Sequence, residues 1–71
     1  GFAEYAMLRL RLTEGLDLAF CAQEFGVSMD ELMKKARPFE RGGLLEIRGD
    51  RVALTRRGFL VSNAVIGELV F

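Results

Sequence analysis

The sequence has no histidine, no tryptophan, a single cysteine and a single proline among its 71 residues. Without histidine it lacks the side chain that most often serves as a general base and ligates metals near neutral pH. One thiol, Cys21, closes no internal disulfide and is too few for a zinc or iron–sulfur site. This composition argues against self-contained catalysis. Ten basic residues match ten acidic ones, so the formal charge is zero and the bulk basicity of a nucleic-acid binder is missing. No apolar run approaches the ~18 residues of a membrane span, and no signal-peptide pattern opens the chain. With the lone thiol, this predicts a reducing, cytoplasmic setting.

Hydrophobic residues make up 51% of the chain and charged residues 28%, a globular composition. Residues 1–71 are read as a single domain. At this size folding buries only about 60% of the surface that the unfolded chain exposes, so nearly every apolar residue must be used.

Phe2–Leu12 reads as a first helix, apolar on most sides, which is the pattern of a buried helix or of one whose partner lies elsewhere. Thr13-Glu14-Gly15 breaks it, with Gly15 suited to a left-handed position. Asp17 caps a second helix running to about Phe25, with Leu18, Cys21, Ala22 and Phe25 forming one inward stripe. Cys21 on that stripe reads as an inert core thiol. Gly26 closes the helix, and Ser28-Met29-Asp30-Glu31 is a capping box that opens a third.

Met29, Leu32, Met33 and Ala36 form the buried face of this third helix, while Asp30 with Lys34 and Glu31 with Lys35 are acid-first i,i+4 pairs. Pro38 is expected to end or kink it, with Arg37 displaced from helical geometry and Gly42-Gly43 as the final stop. Next, Leu45, Ile47, Val52 and Leu54 alternate with Glu46, Arg48, Arg51 and Ala53, the period of a half-buried strand pair. A two-residue loop at Gly49-Asp50 sets Ile47 opposite Val52 and Leu45 opposite Leu54, so turn length and hydrophobic register agree. Thr55 caps a fourth helix from Arg56 to about Val70. The expected fold is mainly α with one β-hairpin, winged-helix-like: three helices, a two-stranded wing and a C-terminal helix.

Charge is uneven along this frame. Between positions 34 and 57, eight basic residues face only Glu40, Glu46 and Asp50, a net charge of plus five. The third helix and the wing are the elements a DNA-binding winged helix would use, although Asp30 and Glu31 would then approach phosphates. Arg48 and Arg51 oppose each other beside the turn, a mildly repulsive pairing. Arg56 and Arg57 occupy a first helical turn, where the helix dipole disfavours cations, and Gly58 follows where a better helix former would cost less. These departures fit either an anion or domain contact, or a glycine that lets the helix pack closely. Asn63, Arg11 and Glu14 are expected to be partly buried, through an internal Arg11–Glu14 hydrogen bond or a contact to a second domain. The candidate contact residues are therefore Arg11, Glu14, Arg56, Arg57 and Asn63; no catalytic, cofactor or metal residue is assigned.

The run Met7-Leu8-Arg9-Leu10-Arg11-Leu12-Thr13-Glu14-Gly15-Leu16-Asp17-Leu18, then Phe25-Gly26, Gly43-Leu44-Leu45-Glu46 and Leu54-Thr55-Arg56-Arg57-Gly58 with Ser62-Asn63, resembles a known family. It is similar to the C-terminal domain of oxygen-independent coproporphyrinogen III oxidases and their relatives, which are radical S-adenosylmethionine proteins of heme metabolism. The resemblance spans almost the whole chain, although Leu-Thr-x-x-Gly alone is shared with many winged-helix repressors. Arg9 departs from the family pattern, which has a small residue there. The resemblance implies an accessory domain excised from a larger protein, whose preceding barrel binds a [4Fe-4S] cluster and S-adenosylmethionine; no cofactor is implied for this chain. Its implied partners are that barrel in the same chain and a tetrapyrrole whose site it helps to shape. The surplus apolar surface on the first and last helices predicts self-association of the excised domain. The resemblance covers both the oxidases and the heme-chaperone branch.

Overall fold

The computed structural model describes residues 1–71, and its elements follow from local chemistry with a few instructive departures. Helix α1 spans Phe2–Leu10, strand β1 Leu16–Asp17, α2 Leu18–Phe25 and α3 Met29–Arg41. Strands β2, Leu45–Arg48, and β3, Arg51–Leu54, form the hairpin, followed by α4, Arg56–Leu60, and α5, Ser62–Val70. The chain is thus mainly helical with a small antiparallel sheet, compatible with a winged-helix-like fold.

The caps form largely as the sequence requires. Asp17 accepts a hydrogen bond from the Phe20 N–H at 3.1 Å, and Ser28 accepts from the Glu31 N–H at 3.2 Å. Glu31 makes no return bond, so only half of the capping box is closed. Neither acid-first pair on α3 closes into a salt bridge. The hairpin register pairs Leu45 with Leu54, Ile47 with Val52 and Arg48 with Arg51, as the loop length demands. The sheet has a third strand: β1 pairs antiparallel with β3, in the order β1-β3-β2. Two residues are too few to show any periodicity in sequence.

Three expected boundaries move. Helix α1 stops at Leu10, leaving Leu12 outside and exposed. Helix α3 runs through Pro38 to Arg41, and Arg37 stays helical. Proline removes one N–H there, but Pro38 and Lys34, whose carbonyl loses its partner, are both exposed, so water satisfies the orphan. The helix stops at Gly42-Gly43, as expected, in a Schellman motif: Gly43, at φ +78°, donates to Glu40 O, and the Leu44 N–H reaches Phe39 O at 2.8 Å. The long last helix divides at Val61, whose φ of −120° and ψ of 32° leave the helical region. Gly58 and the weak helix formers Val61, Ser62 and Asn63 supply little propensity to carry the ladder across.

The core gathers residues from every layer, with Leu10 of α1, Leu18 and Cys21 of α2, Ala36 of α3, Val52 of β3 and Val65 of α5 each at most 2% exposed. Burying a Leu or Val of this kind contributes roughly 1.5–3 kcal/mol. Phe25, expected on the inward stripe, lies at the surface instead, 36% exposed. It forms a tilted aromatic cluster with Phe2 at 5.9 Å and Tyr5 at 5.3 Å, and Tyr5 also meets Phe20 at 5.6 Å. At the surface these rings cover one another.

Candidate functional site

The two motifs around Gly43-Leu44 and Thr55-Arg56-Arg57-Gly58 lock together. The Thr55 hydroxyl donates to Gly43 O at 2.6 Å and accepts from the Gly58 N–H at 3.0 Å, while the Thr55 N–H donates to Leu44 O at 3.0 Å. Gly58 is buried directly against this carbonyl: a Cβ built there would stand 1.9 Å from Leu44 O and 2.8 Å from Leu44 C. Close packing, rather than ligand access, is therefore what this glycine provides. Gly15, at φ +74°, does the same at the other end of the sheet, where a Cβ would stand 2.3 Å from Val52 O.

This lock fixes α4 beside the hairpin and leaves an open groove of about 420 Å³ between the end of α1, the outer face of β2–β3 and α4. Leu12, Leu54, Phe59 and Leu60 supply apolar lining, and Arg11, Arg48, Arg56 and Glu46 supply charge. Leu12 is 44%, Phe59 52% and Leu60 84% exposed, an unusual concentration for so small a core. A second hollow of about 210 Å³, holding Glu14 and Arg51, continues from it and shares Thr13, Glu46, Arg48 and Ala53.

The five candidate contact residues separate into distinct places. Arg11 and Asn63 come together: the Arg11 guanidinium donates to Asn63 Oδ1 at 3.0 Å and to Met7 O at 3.2 Å, so it also caps the carbonyl end of α1. Arg11 and Glu14 are exposed, contrary to the expected partial burial, and form no bond with each other; Asn63 is likewise exposed. The reason is the early end of α1, which carries Arg11 over α5 and leaves Glu14 in the turn before β1. Glu14 contributes its backbone carbonyl, which accepts from Arg51 at 3.3 Å. Arg56 lines the groove. Arg57 turns away over Gly43, where a Cβ would come within 3.2 Å of its Nη1.

The wing arginines are each partly answered. Arg48 forms a 2.6 Å bridge to Glu46, and Arg51 lies 4.0 Å from the Asp17 carboxylate, which relieves the repulsion between them. Arg56 has no such partner. Arg9, the departure from the family pattern, lies in the last turn of α1. Cys21 is fully buried, and its thiol pKa is pushed up by that burial, with the nearby Asp17 carboxylate adding to the shift. A protonated thiol in this position is a poor nucleophile and a poor metal ligand. Sequence alone did not reveal Leu12, Phe59 and Leu60 as one surface. Their only signal was the apolar surplus on the first and last helices, which does not say where on the molecule it collects.

A family profile described as the HemN C-terminal domain matches residues 3–61, from α1 to the break after α4. No curated protein and no solved structure matches the chain.

Proposed function

The chain belongs to the HemN C-terminal domain family, and from that membership we propose that it is a non-catalytic accessory domain of an oxygen-independent coproporphyrinogen III oxidase-like protein. In this reading it packs on a catalytic radical S-adenosylmethionine barrel in the cytoplasm and helps to shape the tetrapyrrole site. The observation that carries the reading is the apolar groove of Leu12, Phe59 and Leu60, which nothing in the chain covers. Exposed apolar surface of this kind is the usual mark of a docking face. In isolation the same surface favours self-association.

The cluster and S-adenosylmethionine implied for the whole protein find no fit among these residues. A [4Fe-4S] site needs several thiolates, and here the single thiol is buried and held protonated. Those groups therefore belong to the barrel in this proposal, and no step of their chemistry passes through this chain. Duplex DNA binding through α3 and the wing is the weaker reading, because Arg48 and Arg51 already face Glu46 and Asp17 and α3 opens with Asp30 and Glu31.

The test is to titrate this chain into a purified barrel of the same family, following association by calorimetry and porphyrin turnover by absorbance. A stoichiometric complex with altered turnover is expected; no association at any concentration reached would overturn the reading. Steeply salt-dependent duplex binding would revive the DNA alternative.

A further inference from the structure

We propose that the partner segment seated in the groove is an acidic amphipathic stretch of the barrel, its apolar side on Leu12, Phe59 and Leu60 and its carboxylates toward Arg11 and Arg56. This rests on the accessory-domain reading and names which face of the domain does the docking. Outside the groove, Leu8 and Phe71 are also exposed, and Phe20 and Phe25 form with Tyr5 an aromatic face on α1 and α2 that competes for that role.

The two faces differ in saturation. The aromatic rings, Phe2 included, already pack tilted against one another at 5.3–5.9 Å, so part of their area is removed from water without a partner. Leu60, 84% exposed, and Phe59 have no comparable cover. The groove is also charged. Four arginines (Arg11, Arg48, Arg51 and Arg56) and two glutamates (Glu14 and Glu46) line the groove and its continuation, leaving two positive charges in excess.

Of these, Arg56 has no intramolecular partner, and Arg11 is bonded only to neutral groups, so both keep their full charge for an incoming carboxylate. Shape points to a polypeptide over a small molecule. Small-ligand sites enclose most of their ligand, whereas this groove is open along its length and continues into the second hollow, as a helix-in-groove contact requires. A cationic rim beside an apolar floor then selects carboxylates flanking apolar residues.

The test uses two synthetic helical peptides with the same leucine spacing, one with glutamates and one with lysines at the polar positions, titrated into the ¹⁵N-labelled chain. The acidic peptide is expected to move the amides of Leu12, Ala53, Arg56, Phe59 and Leu60, with binding that weakens as salt rises. Arg56→Glu and Leu60→Ser, both at exposed positions, should each weaken it by about tenfold. Equal binding of both peptides, shifts confined to Tyr5, Phe20 and Phe25, or no shifts would overturn the proposal. Should a variant fold poorly, the salt dependence and shift map of the unmodified chain still decide. Repeating the barrel titration with Arg56→Glu separates the two readings. Undiminished barrel binding removes the groove assignment and leaves the accessory role standing. A barrel that never binds, beside an acidic peptide that does, removes the accessory role instead.

Discussion

Replacing Gly58 by alanine sets two opposed effects against each other. In a helix interior alanine is favoured over glycine by about 1 kcal/mol, so propensity alone predicts a more stable protein. The structure predicts the reverse, because the added methyl carbon would stand 1.9 Å from the Leu44 carbonyl oxygen and 2.8 Å from its carbon. These are backbone atoms and do not rotate aside. Relief requires α4 to move away from the strand entry, at an overpacking cost of about 1–3 kcal/mol. The same carbonyl accepts the Thr55 N–H at 3.0 Å, so displacing it also loosens a bond of about 1 kcal/mol. The balance is a net destabilisation of about 1–3 kcal/mol. That is a large share of the ~4–11 kcal/mol expected for a domain of this length, and it would lower the melting temperature by about 5–20 °C. The assay is paired thermal and urea unfolding followed by circular dichroism, with Gly67→Ala as control. Nothing lies within 4 Å of a Cβ at Gly67 in α5, so that variant should be neutral or more stable. A Gly58→Ala protein as stable as the parent would refute the close-packing account.

Thr55→Val keeps the shape and removes the hydroxyl that joins Gly43 O to the Gly58 N–H; a loss of about 1–2 kcal/mol is expected in urea unfolding, the range for an N-cap. Arg11→Ala and Asn63→Ala should each cost little, and a double-mutant cycle should return a coupling below about 1 kcal/mol, because the 3.0 Å bond is exposed. For Cys21 the folded thiol pKa lies above its unfolded value, so the folded state holds the proton longer. Its contribution is complete below the ordinary thiol range and is lost as pH rises toward the raised folded value. Unfolding free energy should therefore fall more steeply with alkaline pH for the parent than for Cys21→Ala, and a thiol reagent should react far faster with urea-unfolded chain than with folded chain.

Much of the fold was readable from short-range chemistry. Asp17, Ser28 and Thr55 cap the helices they were expected to cap, and the two-residue loop at Gly49-Asp50 sets the hairpin register. Each rests on contacts within a few residues, which a linear pattern encodes. The departures have equally physical causes. A two-residue β1 carries no period, Pro38 is tolerated because the Lys34 carbonyl it leaves without a partner lies on the exposed side of α3, and the break at Val61 arises where helix propensity is weak on both sides. Phe25 kept the spacing of a core stripe but lies at the surface against the Phe2 and Tyr5 rings of α1.

The candidate surface was legible in part: Arg11, Glu14, Arg56 and Asn63 were singled out by sequence, but their relations were not. Arg11 meets Asn63 across 52 positions, and Arg51 meets the Glu14 carbonyl across 37. The sequence by itself determined the elements, their caps, the strand register and the family, because these depend on residue identities at short and regular spacings. Tertiary structure alone decided that Gly58 serves packing, that the wing arginines are answered by Glu46 and Asp17, and that Leu12, Phe59 and Leu60 form one groove beside an unpaired Arg56. Those outcomes depend on which distant segments the core draws together, and no local pattern carries that information.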